Sequence, residues 1–314
     1  MDKCVSVVIP CYNSEKTIGR VVELCEDEFR RMTGTDWEII LVNDCSADNT
    51  WHEIEKCCLK SEHVKGVDLA KNTGQHNAIM AGFHYALGDY ILCMDDDLQT
   101  RPSQIKKLLD KLEEGYDLVF ASYPEVKQSL FRRLGSWFNS ATVNFLLKTP
   151  KEIKVTSFFV FRKFMLKAIL EYKNSYTHLR GLLFSATRNI GTVEVEHFER
   201  VEGTSNYTLT KLIRLWSSCI NFSIIPLRVS GVIGGITSGL GFLFCVFIVI
   251  RKLINPDMAA GWTSTIAIEL FFSGLILMCL GVTGEYIGRI FLAINSTPQY
   301  VIRREAGTEK PGEE

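Results

Sequence analysis

The first 125 residues alternate short apolar, β-branched runs with segments whose apolar positions recur at helical spacing. "VSVVIP" reads as a buried strand by its apolar density. Beyond it, Asn13 or Ser14 is placed to cap a helix in which Ile18, Val21, Val22, Cys25 and Phe29 share one face. "WEIILVND" predicts a second strand, followed by a helix around Trp51, Ile54 and Cys58. "VKGVDLA" predicts a third, leading into a helix through Ala78, Met80, Ala81 and Tyr85. "DYILCMD" is the fourth; a helix opened by Pro102 and a further strand, "DLVFAS", complete the series. Strand–helix alternation of this kind implies a mostly parallel sheet with helices on both faces. Ligands of such sheets bind beyond the carboxyl ends of the strands. The polar clusters "PCYNS", "NDCSADNT", "KNTGQ" and "DDDLQ" all fall at those ends and together predict one site.

The pattern changes near residue 229. "VSGVIGGITSGLGFLFCVFIVI" (229–250) carries no charge, and "STIAIELFFSGLILMCLGVTG" (264–284) carries only Glu269. About 20 apolar residues cross a bilayer core, so both stretches predict transmembrane helices. Soluble helices of that length normally keep a polar face, which argues against a buried hairpin. Glu269 sits near one end of its span, where snorkelling or an oligomer contact accounts for it. Lys211, Arg214 and Arg228 precede the pair, Arg289, Arg303 and Arg304 follow it, and the connection holds only Arg251 and Lys252. That bias predicts a multi-pass protein of the inner (cytoplasmic) membrane, with its body on the cytoplasmic side. In "TLTKLIRLWSSCINF" the apolar Leu209, Leu212, Ile213, Trp216 and Ile220 oppose Lys211, Arg214, Ser218 and Asn221, which predicts an interfacial helix. The expected organisation is a catalytic domain over 1–203, an amphipathic juxtamembrane helix over 204–228, two transmembrane helices within 229–290 and a cytoplasmic tail over 291–314. Glycines in "GGITSGLG" permit close helix packing and so a homo-oligomer through these helices.

Composition narrows the classes further. The net charge of −1 gives no argument for nucleic acid as a partner. Ten cysteines without a CxxC pair read as reduced core thiols, and a zinc site is not expected. The amino-terminal apolar run is too short for a secretory signal. GxGxxG and the phosphate-loop lysine motif are absent, so neither a dinucleotide nor a P-loop site is signalled.

Three consecutive aspartates, Asp95 to Asp97, end the fourth strand. On extended chain, alternate residues point the same way, which would place Asp95 and Asp97 together and turn Asp96 aside. Two acids converging at a strand end suit a hard divalent cation, Mg2+ or Mn2+, whose shell phosphate completes. Gln99 shares their side by parity and could add an amide oxygen. The competing reading is an acidic turn that caps the helix near Pro102.

"SVVIPCYN", "NDCSADNT", "NTGQHNAIMAG" and "MDDDLQ", in this order, resemble family 2 glycosyltransferases of the GT-A fold. "ERVEGTSNYTLTKL", "PLR" and "GEYIGRIF…TPQYVI" narrow the resemblance to the polyprenyl-phosphate branch. That branch includes dolichol-phosphate mannose synthases, bactoprenol glucosyltransferases and undecaprenyl-phosphate aminoarabinose-type transferases; "GQHNAIMAG" looks most like the last. The resemblance runs from about Ser6 to Ile302. It implies a Rossmann-like α/β catalytic domain that binds a nucleotide-sugar donor, with a polyprenyl-phosphate lipid as acceptor. Pro10, Tyr12, Asn13, Asp44, Ser46, Asn72 and Gln75 would then line the nucleotide site together with Asp95 and Asp96. Asp95, Asp97 and Gln99 would hold the metal, with Asp97 and Arg200 as the catalytic pair. Arg132, Arg133, Arg162, Ser205 and Lys211 would meet the acceptor phosphate. The chain departs from the family pattern at three places. Ser14 stands where an acid usually follows "YN", Phe159 where a base is common, and Thr297 where an arginine usually precedes "P.Y".

A phosphate monoester, with its second pKa near 6, is already a nucleophile at neutral pH, so such an acceptor needs cations to position it more than it needs a base. One displacement would invert the anomeric centre. Two other readings stand beside this one. A family 2 transferase using a hydroxyl acceptor would need a general base, and no acid between 150 and 210 is an obvious one. A membrane scaffold retaining a dead transferase fold would not need Asp95, Asp97 and Arg200.

Overall fold

The computed structural model describes residues 3–123, 156–174, 177, 179–196, 225–254, 261–294 and 298–307. The chain divides into two compact units, Met1–Ser218 with Thr297–Glu314, and Cys219–Ser296.

The first unit is built on an eight-stranded sheet. Its strands are β1 (Lys3–Cys11), β2 (Thr35–Asn43), β3 (Val64–Leu69), β4 (Tyr90–Cys93), β5 (Leu118–Ser122), β6 (Phe159–Arg162), β7 (Ile190–Glu194) and β8 (Ile302–Ala306), in the order β7-β5-β6-β4-β1-β2-β3-β8. β1 runs parallel to β2 and β4, β2 to β3, and β5 to β7. β6 and β8 run antiparallel to their neighbours. The first four strands are near-continuous apolar runs because helices cover both faces. α1 (Ile18–Arg31) buries the five residues its periodicity indicates, Ile18, Val21, Val22, Cys25 and Phe29. Its cap differs from expectation: Thr17 is the N-cap, and the Ser14 carbonyl accepts from Thr17 and Ile18 N–H one turn earlier. α2 (Thr50–Lys60) buries Trp51, Ile54 and Cys57, one residue before the expected Cys58. α3 (Gln75–Phe83) lies so close to the sheet that a Cβ on Gly82 would come within 2.4 Å of Val8. A 3-10 turn, Pro102–Gln104, opens α4 (Ile105–Glu113). α5 (Phe164–Leu170) and α6 (Leu179–Ala186) follow β6.

The expected tail is not a separate appendage. Residues 298–307 belong to the sheet unit, where β8 pairs with β3 from Gly66↔Ala306 to Leu69↔Ile302, with a register shift between Asp68 and Leu69. Upstream of β8, Gln299 is buried; it donates to the Asn174 carbonyl at 3.1 Å and to the Thr177 hydroxyl. The Tyr300 hydroxyl sits 2.7 Å from His84 Nδ1. Without β8, β3 would present a bare edge.

The second unit holds α7 (Ile225–Ile254) and α8 (Trp262–Ile294), both longer than the apolar runs that predict them. Inside it, Cys279 Sγ lies 3.8 Å from the Ser230 carbonyl, and Phe272 stands over Gly241. Thr237 and Thr283 turn their hydroxyls back onto carbonyls of their own helices, so these polar atoms are satisfied within the helix. Leu240, Phe242, Leu243, Phe271, Leu277 and Phe291 are exposed. Among the described residues, one segment, Phe271–Gly288, is long and apolar enough to cross a membrane; in α7 the apolar run, Val229–Phe244, is shorter. The residues expected to form the interfacial helix, 204–224, lie outside the described ones, and α7 takes up 225–228.

Candidate active site

A cleft of about 700 Å³ opens at the carboxyl ends of β1, β2 and β4, where the strand order reverses around β1. Pro10, Tyr12, Asn13, Asp44, Asn72, Gln75, Asp95, Asp96 and Asp97, all expected there, line it. Ser46 stands just behind the wall, its hydroxyl accepting the Asn13 N–H at 3.0 Å. Backbone strain collects at this edge. Asn13, Cys45 and Leu98 have φ of 56°, 54° and 60°, and they follow the carboxyl ends of β1, β2 and β4 respectively. Non-glycine residues keep such angles only where their surroundings impose them.

Asp44 is 3% exposed. One oxygen accepts from Thr73 N–H at 2.7 Å and the other from Gly74 N–H at 2.9 Å, while Asn72 Nδ2 reaches the Asp44 carbonyl at 3.3 Å. The carboxylate therefore fixes the loop that starts α3. Gly74, at φ 85°, is the residue that lets that loop turn its N–H inward. Gln75, first residue of α3, then donates from Nε2 to Asp95 at 2.7 Å.

The three aspartates depart from strand parity. β4 ends at Cys93, and with Leu98 in the left-handed region the chain beyond it is not extended. Asp96, expected to turn aside, lines the cleft beside its neighbours and reaches back to β1. It accepts from the Ser14 hydroxyl and from Tyr12 N–H at 3.3 Å. Burial lifts its carboxyl to about 6 and the Asp95 charge adds to the rise, against the Ser14 hydroxyl and Tyr12 N–H, which hold it down. Asp95 accepts from Gln75 and from the Ser157 hydroxyl. Asp97 accepts the Gln99 backbone N–H at 3.0 Å. The Gln99 side chain is not among the groups that line the cleft.

Ser14, where the family pattern has an acid, is the residue that allows Asp96 to close on β1, since a second carboxylate there would repel it. Asp48 belongs to the same wall. Burial raises its pKa, but the Thr50 hydroxyl, at 2.5 Å, and the N–H groups of Thr50 and Glu15 outweigh that and hold it low. Asp48, Glu15 and Lys16, none singled out from the sequence, also line the cleft.

Arg162 is corrected outright. β6 runs antiparallel to β4, so Phe159 pairs with Cys93 at the cleft end and Arg162 pairs with Tyr90 at the opposite end. Its Nε and Nη2 donate at 2.9 Å to the carbonyls of Tyr116 and Leu112, closing the α4–β5 turn. It cannot replace the base missing at Phe159, which is itself 3% exposed in the core. Arg132, Arg133, Arg200, Ser205 and Lys211 lie outside the described residues.

The Asp95 and Asp97 carboxylates both line the cleft, and carboxylate oxygen is the ligand type a hard cation takes. Among the described residues no three acidic, histidine or cysteine side chains converge closely enough to hold an ion alone. The donor set therefore fits a cation whose remaining ligands come from a bound diphosphate.

The profile described as glycosyl transferase family 2 matches residues 6–170, which contain every cleft-lining residue. The chain belongs to this family. Curated family 2 relatives extend over nearly its whole length. The undecaprenyl-phosphate 4-deoxy-4-formamido-L-arabinose transferase of Proteus mirabilis (strain HI4320) is 33% identical over 311 residues, covering 98% of this chain and 95% of the relative. The protein of that name from Yersinia enterocolitica is 33% identical over 316 residues, with the same coverage. Among solved structures, glucosyl-3-phosphoglycerate synthase from Mycobacterium tuberculosis, in complex with Mn2+, UDP and glucosyl-3-phosphoglycerate, aligns with TM-score 0.53 and 17% identity over 70% of this chain and 80% of that one. Mannosyl-3-phosphoglycerate synthase from Rubrobacter xylanophilus aligns with TM-score 0.51 and 18% identity over 73% and 75%. These two share the fold of the sheet unit.

Proposed function

We propose that the protein transfers a sugar from a nucleotide donor, UDP-linked by its resemblance to aminoarabinose-type transferases, to undecaprenyl or another polyprenyl phosphate at the cytoplasmic face of the membrane. The observation that carries this reading is the pairing of the cleft with relatives of that named activity along 98% of the chain. Tyr12, Asn13 and Asn72 bind the base and ribose, and Asp44 holds the loop that closes over them. Asp95 and Asp97 hold Mg2+ or Mn2+, which when bound stabilises the charge on the departing diphosphate. The acceptor phosphate attacks the anomeric carbon without a general base, in one inverting displacement. Arg132, Arg133, Arg200, Ser205 and Lys211 orient it.

The membrane arrangement follows from the strand pairing. β7 precedes α7 and β8 follows α8, yet both strands belong to one sheet. If the second unit enters the bilayer, the chain between them must cross an even number of times. A single crossing does not fit that pairing, which supports a reading in which α7 and α8 span as a pair.

The deciding experiment incubates membranes containing the protein with a panel of labelled sugar nucleotides and extracts the lipid. A labelled polyprenyl-phosphate sugar, made from one donor and dependent on divalent metal, is the expected product. Label in a polysaccharide or in a lipid hydroxyl linkage would refute the acceptor.

A further inference from the structure

A line of hydrogen bonds joins the cleft wall to the last strand of the sheet. Asn13 N–H donates to Ser46 Oγ at 3.0 Å, and the Ser46 hydroxyl donates to Asn43 Oδ1 at 2.6 Å. Asn43 Nδ2 donates to Asp68 Oδ1 at 2.6 Å. Arg304 Nε, on β8, donates to the other Asp68 oxygen at 2.8 Å. Asn43 and Asp68 are 3% and 1% exposed, so neither can exchange its partner for water.

The direction of the line is set at Asp68 and seconded by Ser46 N–H, which donates to Asn43 Oδ1 at 3.2 Å. An ionised carboxylate only accepts, so Asn43 must present its NH₂ to Asp68 and its oxygen to Ser46. The Ser46 hydroxyl must then donate to Asn43, which leaves its lone pair for Asn13 N–H. That last bond, with Ala47 N–H donating to Asn13 Oδ1 at 3.2 Å, holds Asn13 in the left-handed conformation, φ 56°, which asparagine tolerates better than most side chains. Arg304 supplies the countercharge to Asp68 in the interior, and its guanidinium is fixed by stacking 4.8 Å above the Trp51 ring. Arg303 adds a second cation 3.9 Å from the same oxygen.

We infer that Arg304 and Asp68 are positioning residues for the Asn13 turn, acting through Asn43 and Ser46, so that the strand following the two long helices sets the affinity of the cleft for its nucleotide. This rests on the cleft being the donor site.

The test uses the full-length protein in lipid nanodiscs and two readouts. Amide hydrogen exchange at residues 11–17 reads the turn whether or not any nucleotide binds. Calorimetry with UDP, GDP, CDP and ADP, each with Mn2+, reads the donor site. Arg304→Ala is expected to speed exchange at Asn13 and weaken binding of the preferred diphosphate about tenfold or more, raising the donor KM while kcat moves little. Arg304→Lys recovers part of both effects. Combining Arg304→Ala with Ser46→Ala costs no more than the larger single change, since both break one line. Glu305→Ala, which removes the neighbouring β8 bond to the Tyr85 hydroxyl at 2.7 Å, moves neither readout and controls for looser docking of the strand. If Arg304→Ala does not fold, Asp68→Asn takes its place, because a neutral amide no longer imposes the direction of the line. Exchange at Asn13 unchanged in these variants, or changed equally by Glu305→Ala, overturns the inference. A wild-type protein that binds none of the four diphosphates overturns the donor reading instead, and exchange still decides whether the line holds the turn.

Discussion

Asp97 and Asp96 are neighbours with opposite circumstances. Asp96 is spent on Ser14 and the β1 backbone, whereas Asp97 is bonded to the N–H two residues ahead, and its carboxylate lines the cleft. Asp97→Ala is therefore expected to abolish transfer while the protein stays folded and membrane-bound, as read by product formation beside a thermal melt. Turnover at the wild-type rate would remove this carboxylate from the chemistry. His76 makes a separate prediction. Desolvation and the nearby Arg180 charge lower its pKa from 6.5 to about 4. An imidazole neutral in the folded state and protonated in the unfolded one favours unfolding as pH falls. The stability at stake is intact above 6.5 and drains away down to about 4, on the order of 3 kcal/mol. Melts of wild type and His76→Gln across that range should diverge, with the variant losing less. Parallel curves would mean that the folded protein does not hold this ring neutral.

At the scale of elements, what was legible was what repeats. The five buried positions of α1 follow from 3.6-residue periodicity, and β1 to β5 follow from apolar density bounded by polar clusters. What failed were features set by partners distant in sequence. The direction of β6 is invisible in "FFVFR", yet it decides that Phe159 faces the core at the cleft end and Arg162 sits at the far edge. Parity failed at Asp96 because the strand stops at Cys93, and nothing local marks that stop. "VIRREA" has the alternation of a strand, but its position after two apolar helices made it look like a tail. α3 gives the prediction proper to this scale. Gly82→Ala would drive a methyl into Val8 and Val42, at 2.4 and 3.0 Å, and lift the helix that carries Gln75. The expected cost is about 1–3 kcal/mol, with weaker donor binding. Gly19→Ala in α1, where a Cβ meets nothing within 4 Å, should be neutral or stabilising by up to about 1 kcal/mol. Similar melting temperatures for the two variants would mean that α3 yields without resistance.

For the whole molecule, the prediction concerns topology. A reporter inserted between Ile254 and Trp262 should report the opposite face of the membrane from one fused after the carboxyl terminus. The same face for both would mean that α7 and α8 lie along the bilayer and do not cross it. The strand pairing has a consequence for biosynthesis as well. Domains generally fold from the amino terminus as they leave the ribosome. Here β3 is made early, but its neighbour β8 is translated only after α7 and α8. Until β8 has been translated, the nascent sheet carries an open side able to capture any extended chain nearby. Premature termination between α8 and β8 would leave a product with an adhesive β3 edge, a natural target for quality-control proteases.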